Sequence, residues 1–207
     1  MFQNFSPNML KTYENCPKKF YFRYIKNLNM PVNDELFELG KNIHAIASYY
    51  LRKENIDKME LSLTQHEKEL WNYLKSIKYF SYECINTEYN LSVKVGEHFF
   101  GGRLDALVKK EEKFFILDYK TGAIPRNPKY DYQTIIYLLA VREFFKTNNI
   151  VFIYIDLKNK TDIAIELTDE LAKEYEKKLI DIAKKINAEE FSKKSTNCKC
   201  EYSIICY

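Results

Sequence analysis

Two aspartates and a lysine interrupt apolar segments near the middle of this 207-residue sequence. Asp105 and Asp118 each lie in a run of apolar residues, and Lys120 follows the second aspartate by two positions. Side chains alternate between the faces of a β-strand, so Asp118 and Lys120 should point to one side and Tyr119 to the other. A carboxylate and an ammonium at the end of an apolar strand indicate either a structural ion pair or a chemical site.

The chemistry open to these groups is metal-assisted attack by water. Mg²⁺ binds carboxylate oxygens and often takes only one or two of them from the protein. An ion held by Asp105, Asp118 and the backbone carbonyl of Tyr119 would activate water and stabilise charge on a phosphoryl oxygen. Lys120 would orient or deprotonate that water, or neutralise the phosphate. A structural salt bridge is the alternative.

Length and composition predict one globular domain, 1–207, with its core at about 85–167. Apolar residues make up 46% and charged residues 29% of the chain, and the net charge is +3. Binding to nucleic acid would therefore depend on a local basic patch. The sequence has no run of about 18 apolar residues and no secretory signal, which predicts a cytoplasmic location away from membranes.

Two short helices are predicted at the N-terminus. Ser6 is a typical N-cap, and the first helix should run to about Glu14. A second helix should follow Pro17 and continue through Lys26, with Lys19 and Arg23 on one of its faces. That basic face is either solvated or in contact with phosphates.

Two further helices are predicted before the first strand. Apolar residues recur every three or four positions over Glu35–Lys53, and His44 lies beside that stripe as either a packed histidine or a ligand. Thr64 and Glu67 form a capping box for a helix that should end near Phe80.

The second half of the chain alternates strands and helices, which predicts an α/β fold with a small mixed sheet flanked by helices. The predicted strands are Glu88–Val95, His98–Lys109, Phe114–Tyr119, Ile150–Leu157 and Ile163–Leu167, and the predicted helices are Asp131–Phe145 and a last helix from Thr168 to about Asn187.

Six short motifs follow one another along the chain. They are Ser6 leading into Cys16-Pro17-Lys18-Lys19-Phe20, Gly40–His44, Gly102–Asp105, Asp118–Gly122, Gln133–Tyr137, and a terminal group of Cys198, Cys200 and Cys206. Each motif alone is common, but six in this order resemble the RecB-like branch of the PD-(D/E)XK nuclease superfamily. The resemblance is greatest to stand-alone CRISPR-associated RecB-like iron–sulfur exonucleases, and it implies a restriction-endonuclease-like core.

The resemblance implies a role for each motif residue. His44, Asp105, Asp118 and the Tyr119 carbonyl would bind Mg²⁺ or Mn²⁺, and Lys120 would assist the water. Gln133 and Tyr137 would support the DNA or the site, with plain helix residues as the alternative. Lys19 and Arg23 are the candidate phosphate contacts. Glu88 ranks below all of these, as an acid at a strand start.

The cysteines form a second candidate site. The resemblance implies a [4Fe–4S] cluster held by Cys16, Cys198, Cys200 and Cys206, within a helical cap built from both ends of the chain. Cys198 and Cys200 have one residue between them, where the family more often has two. A four-cysteine zinc site and free thiols are the alternatives, and Cys84 is interpreted as a buried thiol.

The function implied by the resemblance is metal-dependent exonucleolytic cleavage of single-stranded or frayed DNA ends. In that family the activity trims DNA before spacer integration, alongside CRISPR integrase proteins. The sequence fits equally well a phage or mobile-element recombination or repair nuclease. A catalytically weak DNA-binding iron–sulfur subunit and a cluster-based redox or DNA-end sensor are further alternatives.

Overall fold

The computed structural model describes residues 2–28, 30, 35–193 and 200–206, with side chains of the helix that begins at Glu35 described from residue 39 onward. Within these residues a mixed sheet of six strands forms the centre, as predicted. The strands are β1 Asn4–Phe5, β2 Glu83–Val95, β3 His98–Lys110, β4 Lys113–Lys120, β5 Ile150–Asp156 and β6 Thr161–Glu166.

The sheet runs in the order β1-β3-β4-β5-β6, and β2 pairs with β3 along its whole length. Two pairs, β1 with β3 and β4 with β5, are parallel, and the other pairs are antiparallel. The central strand β4 is buried on both faces, which explains its continuous apolar sequence.

Helices cover both faces of this sheet. They are α1 Pro7–Asn15, α2 Pro17–Phe20, α3 Glu35–Leu51, α4 Asp57–Ser62, α5 Gln65–Ser76, α6 Tyr132–Phe145 and α7 Asp169–Asn187. Residues of α3 and α5 share one hydrophobic cluster with Leu117 and Tyr119 of β4. Residues of α1, α6 and α7 share the other cluster with Phe114 and Ile116 of the same strand.

Local capping signals act where the sequence placed them. The hydroxyl of Ser6 accepts a hydrogen bond from Met9 N at 3.3 Å, so α1 begins at Pro7. Thr64 and Glu67 form both hydrogen bonds of a capping box before α5. Because these contacts span only three residues, the sequence alone predicts them.

Several predicted boundaries were wrong. Strand β2 begins at Glu83 rather than Glu88, because its pairing with β3 continues past a bulge near Ile85. Helix α5 ends at Ser76, and a 3₁₀ turn occupies 78–81 instead of the predicted last turn. The second N-terminal helix gives way to a π-helical turn at Tyr21–Ile25. Strand β1 and helix α4 were not predicted, since two and six residues carry too little periodicity.

The two ends of the chain meet beside α2. Lys19 Nζ lies 2.9 Å from Glu201 Oε2, and the ring of Phe22 stacks on Tyr202 with centroids 5.5 Å apart. The Tyr202 hydroxyl donates to Leu28 O at 2.6 Å. The C-terminal segment is therefore packed against the N-terminal helices.

Candidate active site

The hydrogen-bonded ladder between β3 and β4 ends at the pair Ala106 and Leu117. The next position would place two carboxylates, Asp105 and Asp118, opposite each other. Instead the Tyr119 amide donates to Asp105 Oδ2 at 2.9 Å, so a side chain accepts the bond in place of the β3 backbone. The two strands are therefore open where their acidic residues begin.

His44 of α3 lies against this opening. Its Nδ1 is 3.2 Å from Asp105 Oδ1, and its Nε2 is 3.0 Å from the carbonyl oxygen of Tyr119. Burial lowers the pKa of His44, but the hydrogen bond to Asp105 and the charges of Asp105 and Asp118 outweigh it and leave the pKa raised. Both ring nitrogens face oxygen acceptors, as an imidazolium requires.

Glu88 of β2 completes this side of the site. Ligand atoms of His44, Glu88 and Asp105 all lie within 4.8 Å of one another. Glu88 has a φ of 50°, a left-handed backbone that is uncommon for a non-glycine residue. From the sequence, Glu88 ranked below the other candidate ligands. No neighbouring residue in the sequence indicates its left-handed backbone.

In both β2 and β3, the alternation of side chains between the two faces of the sheet changes around Glu88. Leu104 packs in the cluster of α6, whereas Ala106, two residues later, packs in the cluster of α3. On β2, Thr87 reaches Ser48 of α3 at 2.7 Å, while Tyr89 packs toward α6. The alternation of β2 and β3 thus changes phase at the position where the acids lie.

The α6 side of the site holds the predicted acid and lysine. Lys120 Nζ lies 2.7 Å from Asp118 Oδ2, so the two side chains share a face as expected. Gln133 contacts both, accepting from Lys120 at 3.0 Å and donating to Asp118 Oδ1 at 3.3 Å. Asp131, the N-cap of α6, accepts from Gln133 N at 3.0 Å and fixes that first turn.

Burial dominates the electrostatics of this pair. Asp118 is 3% exposed, and burial together with the charge of Asp105 raises its pKa to about 6 in spite of Lys120. Burial alone would lower the pKa of Lys120, but the nearby carboxylate of Asp118 more than offsets it, so the pKa is raised. Lys120 is therefore charged at neutral pH.

Tyr137 of α6 contacts the backbone of β3. Its hydroxyl donates to Arg103 O at 3.0 Å, two residues from Asp105. A Cβ on Gly102 would lie 2.8 Å from that hydroxyl, so glycine is needed for the close approach. This tyrosine contacts the backbone that carries Asp105.

Around these groups lies a cleft of about 980 Å³. Its rim carries the basic side chains of Lys41, Arg52 and Arg103, and its floor carries Asp105 and Lys120. Neither Lys19 nor Arg23 belongs to the described residues that line this cleft. Lys19 is instead paired with Glu201, and the Arg23 guanidinium lies over the ring of Tyr24.

The donor set fits a hard divalent ion. Asp118 Oδ2 is buried, and the ammonium of Lys120 at 2.7 Å is the only partner that the described residues give it. His44 Nε2 and the carbonyl oxygen of Tyr119 lie 3.0 Å apart, within hydrogen-bond distance, and would be two further donors for an ion at this place. Asp118 is not in the compact three-residue group of His44, Glu88 and Asp105.

The cysteines are not gathered into one group in the part of the chain that is described. Cys16 is the residue before α2, and Cys200 and Cys206 flank a turn at the other end of the chain. Cys198 lies outside the described residues. Cys84 is partly buried, and burial raises the pKa of its thiol.

A family model for the PD-(D/E)XK nuclease superfamily matches residues 4–207. The chain belongs to this superfamily. The match spans both sides of the cleft and the C-terminal cysteine segment, and it confirms the family resemblance that the six motifs indicated. Enzymes of this superfamily are nucleases that use divalent metals, in agreement with the donor set on the cleft floor.

Individual relatives agree with this assignment. The sequence is 27% identical over 137 residues to a CRISPR-associated exonuclease Cas4 from Francisella tularensis subsp. novicida, covering 64% of this chain and 68% of the relative. The fold matches the crystal structure of a candidate exonuclease from Eubacterium rectale with a TM-score of 0.63 at 13% identity. That match covers 96% of this chain and 86% of the other.

Membrane-spanning helices are not found in the described residues, since none of their helices is both long and apolar enough.

Proposed function

We propose that this protein is a Mg²⁺- or Mn²⁺-dependent deoxyribonuclease that removes nucleotides from single-stranded or frayed DNA ends. One observation carries the proposal. At the end of the β3–β4 ladder, a compact group of His44, Glu88 and Asp105 lies beside the buried pair of Asp118 and Lys120. Acidic ligands beside a charged lysine are what metal-assisted phosphodiester hydrolysis requires.

The side chains divide the work. Asp105, Asp118, His44 and the Tyr119 carbonyl would hold the ion, and it would supply an activated water and stabilise charge on the phosphate. Glu88 would add a further carboxylate to the same group. His44 must lose the proton at Nε2 before that nitrogen can bind an ion.

Lys120 acts as a cation rather than as a resting base. Its raised pKa keeps it protonated, and Asp118 and Gln133 hold its ammonium at 2.7 and 3.0 Å. An ammonium fixed in this way can donate to the attacking water or to a phosphate oxygen. Gln133 would keep the lysine and the carboxylate in register.

The proposed preference for DNA ends and the proposed biological role rest mainly on the relatives. The Cas4 relative is named a CRISPR-associated exonuclease, and an open cleft with a basic rim suits an unpaired strand. Trimming of DNA before spacer integration, with CRISPR integrase proteins as partners, is the corresponding role proposed for this chain.

End-labelled DNA tests the proposed activity. Single-stranded, blunt duplex and circular DNA are incubated with Mg²⁺, Mn²⁺ or EDTA, and the products are resolved by size. The expected result is stepwise shortening of single strands with either metal, with none in EDTA and little cleavage of circles. Rapid cleavage of circular DNA would show an endonuclease, and equal cleavage in EDTA would contradict metal dependence.

We also propose that Cys16, Cys198, Cys200 and Cys206 hold a [4Fe–4S] cluster. The support is that the two ends already meet near Cys16, through Lys19 with Glu201 and Phe22 with Tyr202. Four thiolates would then clip the termini and close a long loop, which favours the folded state.

Elemental analysis and absorbance test this cluster. Anaerobically purified protein should contain about four iron atoms per chain and absorb broadly near 400 nm, and Cys16→Ser should lose both. Cys84→Ser is the matched control and should lose neither. Zinc without iron would replace the cluster with a zinc site.

A further inference from the structure

One face of the β2–β3 hairpin is exposed near its tip, while the other packs in the cluster that includes α6 and α7. Near the tip the two strands alternate strictly, with residues 91, 93, 95, 100 and 104 buried against the α6 side. The residues of the other face pair across the hairpin as Asn90 with Arg103, Ser92 with Gly101 and Lys94 with Phe99. We call this set the hairpin face.

The hairpin face has the composition of a surface for single-stranded nucleic acid. It carries two basic side chains, Lys94 and Arg103, and none of its six residues is acidic. Phe99 is 44% exposed, and Lys94 Nζ lies 5.9 Å from the centre of its ring. Exposed aromatic rings beside basic groups stack on bases and contact phosphates.

This face is continuous with the active-site cleft. Arg103 is at its inner end and also lines the cleft, where it pairs with Glu88 at 3.0 Å. A groove of about 450 Å³ lies between the N-terminal residues 4–9 and the hairpin, and Ser92, Phe99 and Gly101 are part of its lining. The path from Asp105 to Phe99 covers six residues of β3, or about 20 Å.

We propose that the hairpin face carries the single-stranded segment of the substrate into the cleft. Phe99 stacks on a base, and Lys94 and Arg103 contact phosphates. This inference rests on the proposed nuclease function and adds where the unpaired strand lies. At the duplex spacing of about 3.4 Å per nucleotide, 20 Å corresponds to about six nucleotides or fewer.

Binding without cleavage tests the face directly. Fluorescence anisotropy of labelled dT20 is measured in EDTA for the parent protein and for Phe99→Ala, Phe99→Trp and Lys94→Glu. Phe99→Ala should raise the Kd at least about fivefold, because one stacked base is lost. Phe99→Trp should bind like the parent, and Lys94→Glu should weaken binding and reduce its salt dependence.

Matched controls lie on other surfaces. Phe144 is 60% exposed at the end of α6 and contacts Tyr89, which faces away from the hairpin face. Lys173 is exposed on α7. Phe144→Ala and Lys173→Glu should bind dT20 like the parent, and in cleavage the Phe99→Ala defect should vanish on dinucleotides, which cannot reach the face.

The outcomes separate this inference from the nuclease proposal. The role proposed for the hairpin face is overturned if Phe99→Ala binds dT20 with the parent Kd, or if the parent does not bind dT20. This holds even if the parent degrades DNA. If Phe99→Ala loses binding while the parent is inactive with every metal, the hairpin face is supported and the nuclease proposal is contradicted. A loss of self-association in Phe99→Ala with unchanged dT20 affinity would show instead a contact between copies.

Discussion

The two sides of the cleft hold their charged groups in opposite ways. On the α3 side the side chains of His44 and Asp105 are 28% and 15% exposed, and both also bond to the backbone of Tyr119. On the α6 side the Asp118 side chain is 4% exposed and depends on Lys120 and Gln133. The first side can receive an ion from solvent, whereas the second keeps a lysine charged in a buried position.

This difference predicts that substitutions on the two sides of the cleft will have different effects on metal binding and on the cleavage rate. Damage on the α3 side should weaken metal binding, which more metal can partly restore. On the α6 side, loss of Lys120 should reduce the rate at saturating metal, because this group acts on the water or the phosphate. Loss of Asp118, which would also hold the ion, should weaken metal binding.

Loss of Lys120 should have the largest effect. Lys120→Ala should lower the rate of single-strand degradation by about 10²- to 10⁴-fold, the range for a positioned proton-transfer or charge-stabilising group. The rate is measured with end-labelled DNA at saturating Mn²⁺, and circular dichroism checks the fold. Lys113→Ala, at the other end of β4 and paired with exposed Glu166, is the control and should be active. Parent-like degradation by Lys120→Ala would remove the lysine from the mechanism.

Glu88→Gln should weaken Mn²⁺ binding by about 10- to 100-fold, the range for supporting groups in metal sites. Its amide keeps the size of the side chain but loses a carboxylate from the group of His44 and Asp105. Isothermal titration with Mn²⁺ measures the effect. Glu83→Gln, exposed on the same strand, should bind like the parent, and equal affinities for the two variants would exclude Glu88 from the site.

Acid should weaken metal binding through Asp118. Because burial raises its pKa to about 6, a proton competes with the ion as the pH falls through that value. His44 must also lose a proton, and its pKa is raised, so affinity should fall about tenfold per pH unit where His44 alone is protonated and up to about a hundredfold per unit below 6, where both groups are. Titrations with Mn²⁺ between pH 5 and 8 give the slope. An affinity independent of pH would show that Asp118 does not bind the ion.

The contact under β3 predicts coupling between Gly102 and Tyr137. Gly102→Ala should destabilise the protein, since the new Cβ would lie 2.8 Å from the Tyr137 hydroxyl. In the Tyr137→Phe background that contact is relieved, so a double-mutant cycle should give a coupling of about 0.5–3 kcal/mol. Chemical denaturation of the four proteins measures it, and strict additivity would mean that the backbone shifts freely.

Sequence reasoning reached the parts of the site that local patterns encode. The pairing of Asp118 with Lys120 follows from strand alternation, whereas Gln133 was assigned from the Gln133–Tyr137 motif. Glu88 was ranked below the other residues, because its place beside His44 and Asp105 depends on a left-handed backbone in another strand. No neighbouring residue in the sequence encodes that geometry.

The same distinction holds for the fold. Capping boxes and long amphipathic helices were predicted, since their stabilising contacts lie within one turn. Strand β1 exists only because Asn4 and Phe5 pair with β3 almost a hundred residues later. The ion pair of Lys19 with Glu201 is a tertiary contact of the same kind. The basic face that was expected to be either solvated or in contact with phosphates is therefore in part paired within the chain.

Mn²⁺ titration of two variants, compared with their cleavage rates, tests whether one side of the cleft binds the ion and the other supplies the lysine. His44→Ala should lose most Mn²⁺ affinity, with exposed His66→Ala as its control, whereas Lys120→Ala should still bind one ion and yet fail to degrade DNA. If instead His44→Ala binds Mn²⁺ like the parent, or Lys120→Ala loses the ion and regains full activity at high Mn²⁺, the division between an ion-binding side and a lysine side is contradicted.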